Sequence, residues 1–445
     1  MSITAIGFVA IYVSGLGLAF FVNPIFGLLT YLWAFYGDPP SHWWGDDLPD
    51  LRWSLAAAIV TLVSTARNKR SQTIPWYSTW PARFLILYAG WAWIQTIWAV
   101  NQPYHVEGAI LFTKYVVLYG LIYIIAVDPK ALERLVVAHI AGCLVWGWMA
   151  YTMTVSGRLE GRFGPGIDDS NVLATHLAVG LAFAGFLFVG LQGLKRWISL
   201  GAIPFILNAI ILTASRGAFV GAVGAGMAAA VFAPRVNRRI VLGCLALGGV
   251  LLVYLGNNLF WERISTSAQT DEAVMDASAS SRLAIAQAEF KMFLDFPFGA
   301  GHRGNEVLSP GYMPPEVLTA GEGGVRVRSA HNTFLAVLVD QGIPGVILYL
   351  ALLVWVAVSL IRLRPAVFTG THKNLSVFRG ALASSFAVVL VSGQFINLLK
   401  FEMTVWLFAI LAVLQSFPRE SISSIAPSHG QRVIPEPKSE TWTIN

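Results

Sequence analysis

Apolar stretches recur almost from one end of this 445-residue chain to the other, and the first charged side chain is Asp38. A helix that crosses the hydrocarbon core of a bilayer needs about 20 mostly apolar residues. Thirteen candidate segments follow, near 3–22, 24–36, 53–66, 84–100, 109–127, 134–155, 172–191, 197–213, 216–233, 239–256, 331–360, 377–396 and 400–417. Only 12% of the residues are charged, about half the share of a soluble domain, too few to cover a water-exposed surface. The expected fold is therefore all-α, a polytopic membrane bundle. Several segments are short, and the Asn23-Pro24 step divides the first two because proline disfavours helical geometry in the residue before it. The expected number of crossings is about 12.

Basic residues set the orientation. Arg67, Lys69, Arg70 and Arg83 mark one loop as cytoplasmic, followed by Lys130 with Arg134, Lys195 with Arg196, Arg235 with Arg238 and Arg239, and Arg362 and Arg364 with Lys373. All five loops share one register, which places 37–52, 101–108, 156–171, 213–217 and 257–330 outside. The net charge of +6 is explained by this bias and implies no nucleic-acid partner. Cys143 and Cys244 lie in apolar runs and suggest neither a disulfide nor a zinc framework. No basic n-region precedes the first apolar run, so residues 1–22 read as a retained helix. Four parts are expected: a bundle over 1–256, a loop subdomain over 257–330, helices over 331–417, and a disordered cytoplasmic tail over 418–445.

The outer loops hold the unusual residues. The long one, 257–330, exceeds what a plain connection needs. Within it Leu283, Ala286, Phe290 and Phe293 recur at helical spacing, with Ser278, Ser280 and Ser281 placed to cap an amphipathic helix. Such a helix would lie on the membrane surface or pack on the mouth of the bundle. Arg216 falls in Ala-Ser-Arg-Gly where two apolar segments meet. An arginine at membrane depth costs about 2.5–3.5 kcal/mol on insertion scales, so it either snorkels to the interface or serves a ligand. Gly217 beside it would leave room for that ligand or serve helix packing. Arg282 opens Ser-Arg-Leu, as a solvated helix residue or a contact.

Arg162 sits in Gly-Arg-Phe-Gly ahead of Asp168, Asp169 and Asn171, a capped turn or a polar site. His331, in Ser-Ala-His-Asn, stands where an apolar helix opens. The helix N-terminus disfavours a positive ring, which leaves a neutral imidazole able to take a proton, unless the residue merely caps the helix. His302 and Arg303 follow a Pro-Phe-Gly turn and serve loop shape first. Asp46, Asp47 and Asp50, or Asp168 with Asp169, offer oxygen ligands for a hard cation, but adjacent loop aspartates are weak grounds for one. No metal site and no cofactor are expected.

Several features in fixed order resemble the O-antigen ligase and polymerase superfamily. They are Gly-Arg-Phe-Gly with Asp168 and Asn171, then Ala-Ser-Arg-Gly-Ala, Ser-Arg-Leu, Asp-Phe-Pro-Phe-Gly-Ala-Gly, His-Asn-Thr-Phe-Leu including Asn332, and Gln-Gly-Ile-Pro-Gly at 341–345. They span 158–360, while the first 150 residues match only in hydropathy. The resemblance implies a bundle related to the GT-C fold in the bacterial inner membrane. It also implies an undecaprenyl-diphosphate-linked glycan as donor, the lipid A core of lipopolysaccharide as acceptor, and inverting, metal-independent transfer at the periplasmic face. By motif, Arg216 and Arg282 resemble the pair that holds the carrier diphosphate, and His331 the residue that activates the acceptor hydroxyl. Arg162, Asp168, Asn171, Asn332 and Arg303 are further candidates. An O-antigen polymerase or a protein O-oligosaccharyltransferase is the enzymatic alternative. A polysaccharide flippase would need intramembrane charges open to both faces in turn, whereas these candidates gather on one side.

Overall fold

The computed structural model describes all residues except 69–73, 154–156, 235–236, 266–271, 321–325, 364–375 and 418–445. Each of the thirteen apolar segments forms a helix. They are α1 (Ile3–Phe21), α2 (Ile25–Gly37), α3 (Trp53–Arg67), α4 (Trp80–Gln95), α5 (Gln102–Ala126), α6 (Pro129–Thr152), α7 (Ser170–Gly190), α8 (Leu194–Thr213), α9 (Arg216–Phe232) and α10 (Arg238–Leu255), then α14 (Thr333–Arg362), α15 (Ser376–Ser392) and α16 (Glu402–Ser416). Between α10 and α14 lie α11 (Asn258–Ser265), α12 (Glu272–Asp295), α13 (Gly304–Tyr312) and a two-residue pairing of β1 (Thr319–Ala320) with β2 (Arg326–Val327).

Among the described residues, seven helices are long and apolar enough to cross a membrane: α1, α5, α6, α7, α8, α10 and α14. Four more, α3, α9, α15 and α16, are apolar but shorter. At 1.5 Å per residue, the 13 residues of α2 rise only about 20 Å, short of a hydrocarbon core of about 30 Å. Length and composition therefore make this a multi-pass membrane protein, with seven candidate spans among the described residues and the shorter apolar helices beside them.

Side chains tie the loops into two groups at opposite ends of the bundle. At one end the Ser2 amide donates to Asp47 Oδ2 at 2.6 Å, Arg162 pairs with Asp38, and the Leu159 amide donates to the Leu212 carbonyl. At the other, Lys195 pairs with Glu133 at 2.7 Å, and Gly190 lies so close to Val377 that a Cβ there would come within 2.3 Å of it. This second end carries those described residues of the basic loops. Lys69, Arg70, Arg235, Arg364, Lys373 and the tail fall outside the described residues.

Two of the glycine motifs form a clasp. Helix α14 breaks at Gly342 (φ 63°, ψ −165°), and the Ile343 amide donates to the Pro297 carbonyl. Nearby, the Ala300 and Gly301 amides donate to the carbonyls of Val339 and Asp340. From α4, Trp91 donates to the Gln341 carbonyl and Gln95 to those of Phe298 and Asp340. A Cβ at Gly342 would stand 2.4 Å from the Gly299 backbone, in a region of backbone space that is essentially glycine-only. Gly342→Ala should therefore lose about 1–3 kcal/mol to backbone strain alone, read as a marked drop in the melting temperature of the purified protein.

The long loop departs from expectation in two respects. Helix α12 starts at Glu272, so Ser278, Ser280 and Ser281 lie within it and not at its start. Alanines at 273, 277 and 279, strong helix formers, carry the helix through this stretch. The stripe read from sequence is also split: Leu283 is 59% exposed and Phe290 52%, while Ala286 lines the cavity and Phe293 packs inward. The face against the bundle is instead Ile285, Ala288 and Met292, packed with Val339 of α14. Both stripes satisfy a helical period, and only tertiary packing chooses between them.

Candidate functional site

Three helices begin around one cavity of about 420 Å³ at the acidic-loop end. Asp169 caps α7 by accepting from the amides of Asn171 and Val172, Ser215 caps α9 through the Ala218 amide, and Asn332 caps α14 through those of Phe334 and Leu335. The cavity is lined by Asn171, Arg216, His331 and Asn332 from these helix starts, with Arg158, Arg328 and the 394–396 turn. Ile285 and Ala286 of α12 form its lid.

Hydrogen bonds fix this frame. Asn171 Oδ1 accepts from Arg158 Nη2 at 2.8 Å and Ser215 Oγ at 2.9 Å, while Arg158 Nε donates to the Thr213 carbonyl. Thr333 joins α14 to the α15–α16 turn: its hydroxyl donates to the Ile396 carbonyl and accepts from the Leu398 amide. Asn332 Nδ2 donates to the Gln394 carbonyl. A Cβ at Gly217 would lie 2.9 Å from Phe395, and Gly221 and Gly224 meet α15 in the same way. Gly217 thus serves close helix packing, as small residues do in membrane bundles.

Charge in the cavity is strongly positive. Arg158, Arg216 and Arg328 line it, and three helix N-termini add the positive ends of their dipoles. Arg328 Nε is buried with no hydrogen-bond partner among the described residues. Backbone strain gathers here too. Of four non-glycine residues with positive φ among those described, Ala214 (φ 46°) and His331 (φ 45°) both line the cavity. Strained positions persist where surrounding structure enforces them, as at many active sites.

His331 precedes the cap and is not itself one; Asn332 fills that place. Burial lowers the proton affinity of its ring, and Arg328 lowers it further against a weaker opposing pull from Asp169. Desolvation of the ring outweighs charge as the cause of this lowering, although the residue as a whole is exposed to the cavity.

The remaining candidates separate. Arg282 falls on α12, one turn before Ile285 and Ala286, and its side chain lies outside the described residues. Arg162 does not line the cavity. Its Nε donates to buried Asp38 at 2.8 Å and stands 3.8 Å from Asp168, and the Asp38 bond raises its proton affinity. Arg303 pairs with both oxygens of Glu306 at 2.9 Å, and its guanidinium lies 4.1 Å from the Tyr104 ring centroid. His302 is buried and pushed down to about 3, chiefly by burial, in the clasp region. Asp46, Asp47 and Asp50 join no group of three ligand atoms able to hold an ion among the described residues.

Arg158 and Arg328 escaped the sequence reading, although each stands within four residues of a chosen candidate. The available signal was the pairing Arg158 and Arg162 in one short glycine-rich loop, and Arg328 three residues before His331.

Helix α12 is held by an unusual buried acid. Glu289 is fully buried, with neither oxygen hydrogen-bonded among the described residues, and burial, helped by Asp340, pushes it up to about 8. Because its folded value is raised above the unfolded one, its stabilising contribution is present at low pH and lost as pH rises through about 8. Through this group the melting temperature should fall as pH rises from about 5 to about 8 and show no further loss above that, and Glu289→Gln should flatten that slope; an unchanged slope contradicts it.

The molecule is thus a multi-pass helical bundle with a cationic cavity that α12 helps to line. Residues 201–350 match the model of a family described as O-antigen ligase. The match takes in Arg216, Arg282, Arg328 and His331. A sequence search among curated proteins gave no match.

Proposed function

We propose that this protein is an O-antigen ligase, transferring a glycan from undecaprenyl diphosphate to the lipid A core at the periplasmic face of the bacterial inner membrane. The observation that carries the reading is one cavity holding Arg158, Arg216 and Arg328, three helix N-termini and His331, whose proton affinity the site lowers. Cleaving a glycosyl-diphosphate bond builds charge on the leaving group. Arginine forks bind such charge bidentately, and fixed cations in a dry site stabilise it without rearrangement. Arg216 holds the diphosphate, with Arg282 of α12 as the second arginine of the pair. His331 takes the proton of the acceptor hydroxyl as that oxygen attacks the sugar and inverts it, while the diphosphate departs with the bond's electron pair.

Other finer readings belong to the same proposal. About a dozen helices cross in a GT-C-related bundle, the chain divides into the four parts expected from its sequence, and the reaction needs no metal. Asn171 and Asn332 position Arg158 and the α14 start. Arg162 with Asp168 and Arg303 shape neighbouring loops. Cysteines introduced at 158–170 should label from the periplasm and ones at 425–440 from the cytoplasm; the reverse pattern contradicts the orientation. The activity test is purified protein with undecaprenyl-diphosphate glycan and lipid A core. Product on the core supports a ligase, and extension of the carrier-linked glycan instead would make the protein a polymerase.

A further inference from the structure

Inside the bundle, separate from the cationic cavity, α2, α6 and α7 bring Tyr36, His139, Cys143 and His176 to one point. All four are buried, with His139 3% and His176 1% exposed. The Tyr36 hydroxyl is hydrogen-bonded to His139 Nδ1 at 2.5 Å and His176 Nε2 at 2.8 Å, and stands 3.6 Å from Cys143 Sγ. Cys143 Sγ is 4.0 Å from His139 Nε2. One ligand atom from each of His139, Cys143 and His176 lies within 4.8 Å of the others.

Hydrogen bonding does not account for the whole cluster. Tyrosine has one proton to donate, and His176 Nδ1 is buried with no hydrogen-bond partner among the described residues. An unpaired buried polar atom costs free energy, so a second occupant is called for. Glycines make the space: a Cβ at Gly142 would stand 2.1 Å from the Tyr36 ring, and one at Gly180 would stand 2.5 Å from Cys143 Sγ.

We propose that His139, Cys143 and His176 hold one monovalent copper ion, with Tyr36 orienting the imidazoles. Thiolate and imidazole ligands approach a thiophilic ion to about 2.0–2.3 Å, so the three donors need only close modestly around it. Soft sulfur donors favour monovalent copper. Charge points the same way: the ion and one thiolate cancel, leaving the neutral centre that a dry interior tolerates. A divalent ion would leave a net charge unless Tyr36 also lost its proton. Binding releases the thiol proton to solvent. An adjoining cavity of about 920 Å³, lined by Tyr36, His42, Met149 and Met153, gives a route in with two thioethers along it. The ion would cross-link α6 and α7, and the proposal does not depend on the transferase reading.

The test is anaerobic titration of the purified full-length protein with monovalent copper buffered by a chromogenic chelator. Bound metal is read per chain, and copper-edge X-ray absorption reads the ligands. Wild type and Cys244→Ser should bind one ion with one sulfur and two nitrogen neighbours. Cys143→Ser and His176→Gln should lose it, and Tyr36→Phe should weaken binding about 10–100-fold. If a variant fails to fold, the wild-type absorption spectrum still decides. Absence of bound copper, copper without a sulfur neighbour, unchanged binding in folded Cys143→Ser and His176→Gln, or uptake of Zn²⁺ with copper refused would each overturn the proposal.

Discussion

Replacing Arg216 with alanine should lower glycan transfer by about 10²–10³-fold, the usual loss when one preorganised stabiliser of developing charge is removed. Arg216 is exposed at the first turn of α9 and lines the cavity, so its removal opens no hole in the bundle. Carrier binding should weaken as well, because the diphosphate is charged before and after the bond breaks. Lysine should restore only part of the rate, since an ammonium lacks the planar fork that grips two oxygens. Carrier-lipid binding and single-turnover transfer, measured on the same preparation, separate the two effects. Wild-type turnover by well-expressed Arg216→Ala would make this a snorkelling arginine.

His331→Ala should behave differently: transfer lost by about 10²–10⁴-fold, the span of general-base contributions, with carrier binding retained. The pH profile carries the sign. Burial and Arg328 place the ring's proton affinity below its ordinary value near pH 6.5. The wild-type rate should therefore rise with pH along a limb lying below that value, then level off. In His331→Ala the limb should vanish from the residual rate. A histidine variant with full turnover, or an unchanged limb, would demote His331 to a strained residue beside the Asn332 cap.

These predictions rest on a geometry that the sequence disclosed unevenly. Apolar runs must become helices in lipid because every backbone amide and carbonyl has to be satisfied within the segment, so all thirteen could be read directly. Arg216 and His331 were also legible, since polar residues at the ends of such runs are costly unless used. The face of α12 was not, because Leu283 with Phe290 and Ile285 with Met292 keep the same period and only Val339 of α14 selects the second. Nor was the choice between Arg158 and Arg162. They share one loop, yet Asp38 draws Arg162 away while Asn171 turns Arg158 to the cavity. The motifs Pro-Phe-Gly-Ala-Gly and Gln-Gly-Ile-Pro-Gly, which sequence offered only as marks of a family resemblance, form a backbone clasp between distant stretches that local pattern does not encode.

The central claim is that fixed arginines and His331 carry out transfer in this cavity without a metal. Its most direct test is a reconstituted assay with purified protein, undecaprenyl-diphosphate glycan and lipid A core, run with and without EDTA and with the two variants alongside. The account predicts undiminished product in EDTA and severe loss in both Arg216→Ala and His331→Ala. Activity that vanishes in EDTA and returns with magnesium or manganese, or full product from both variants, would contradict it.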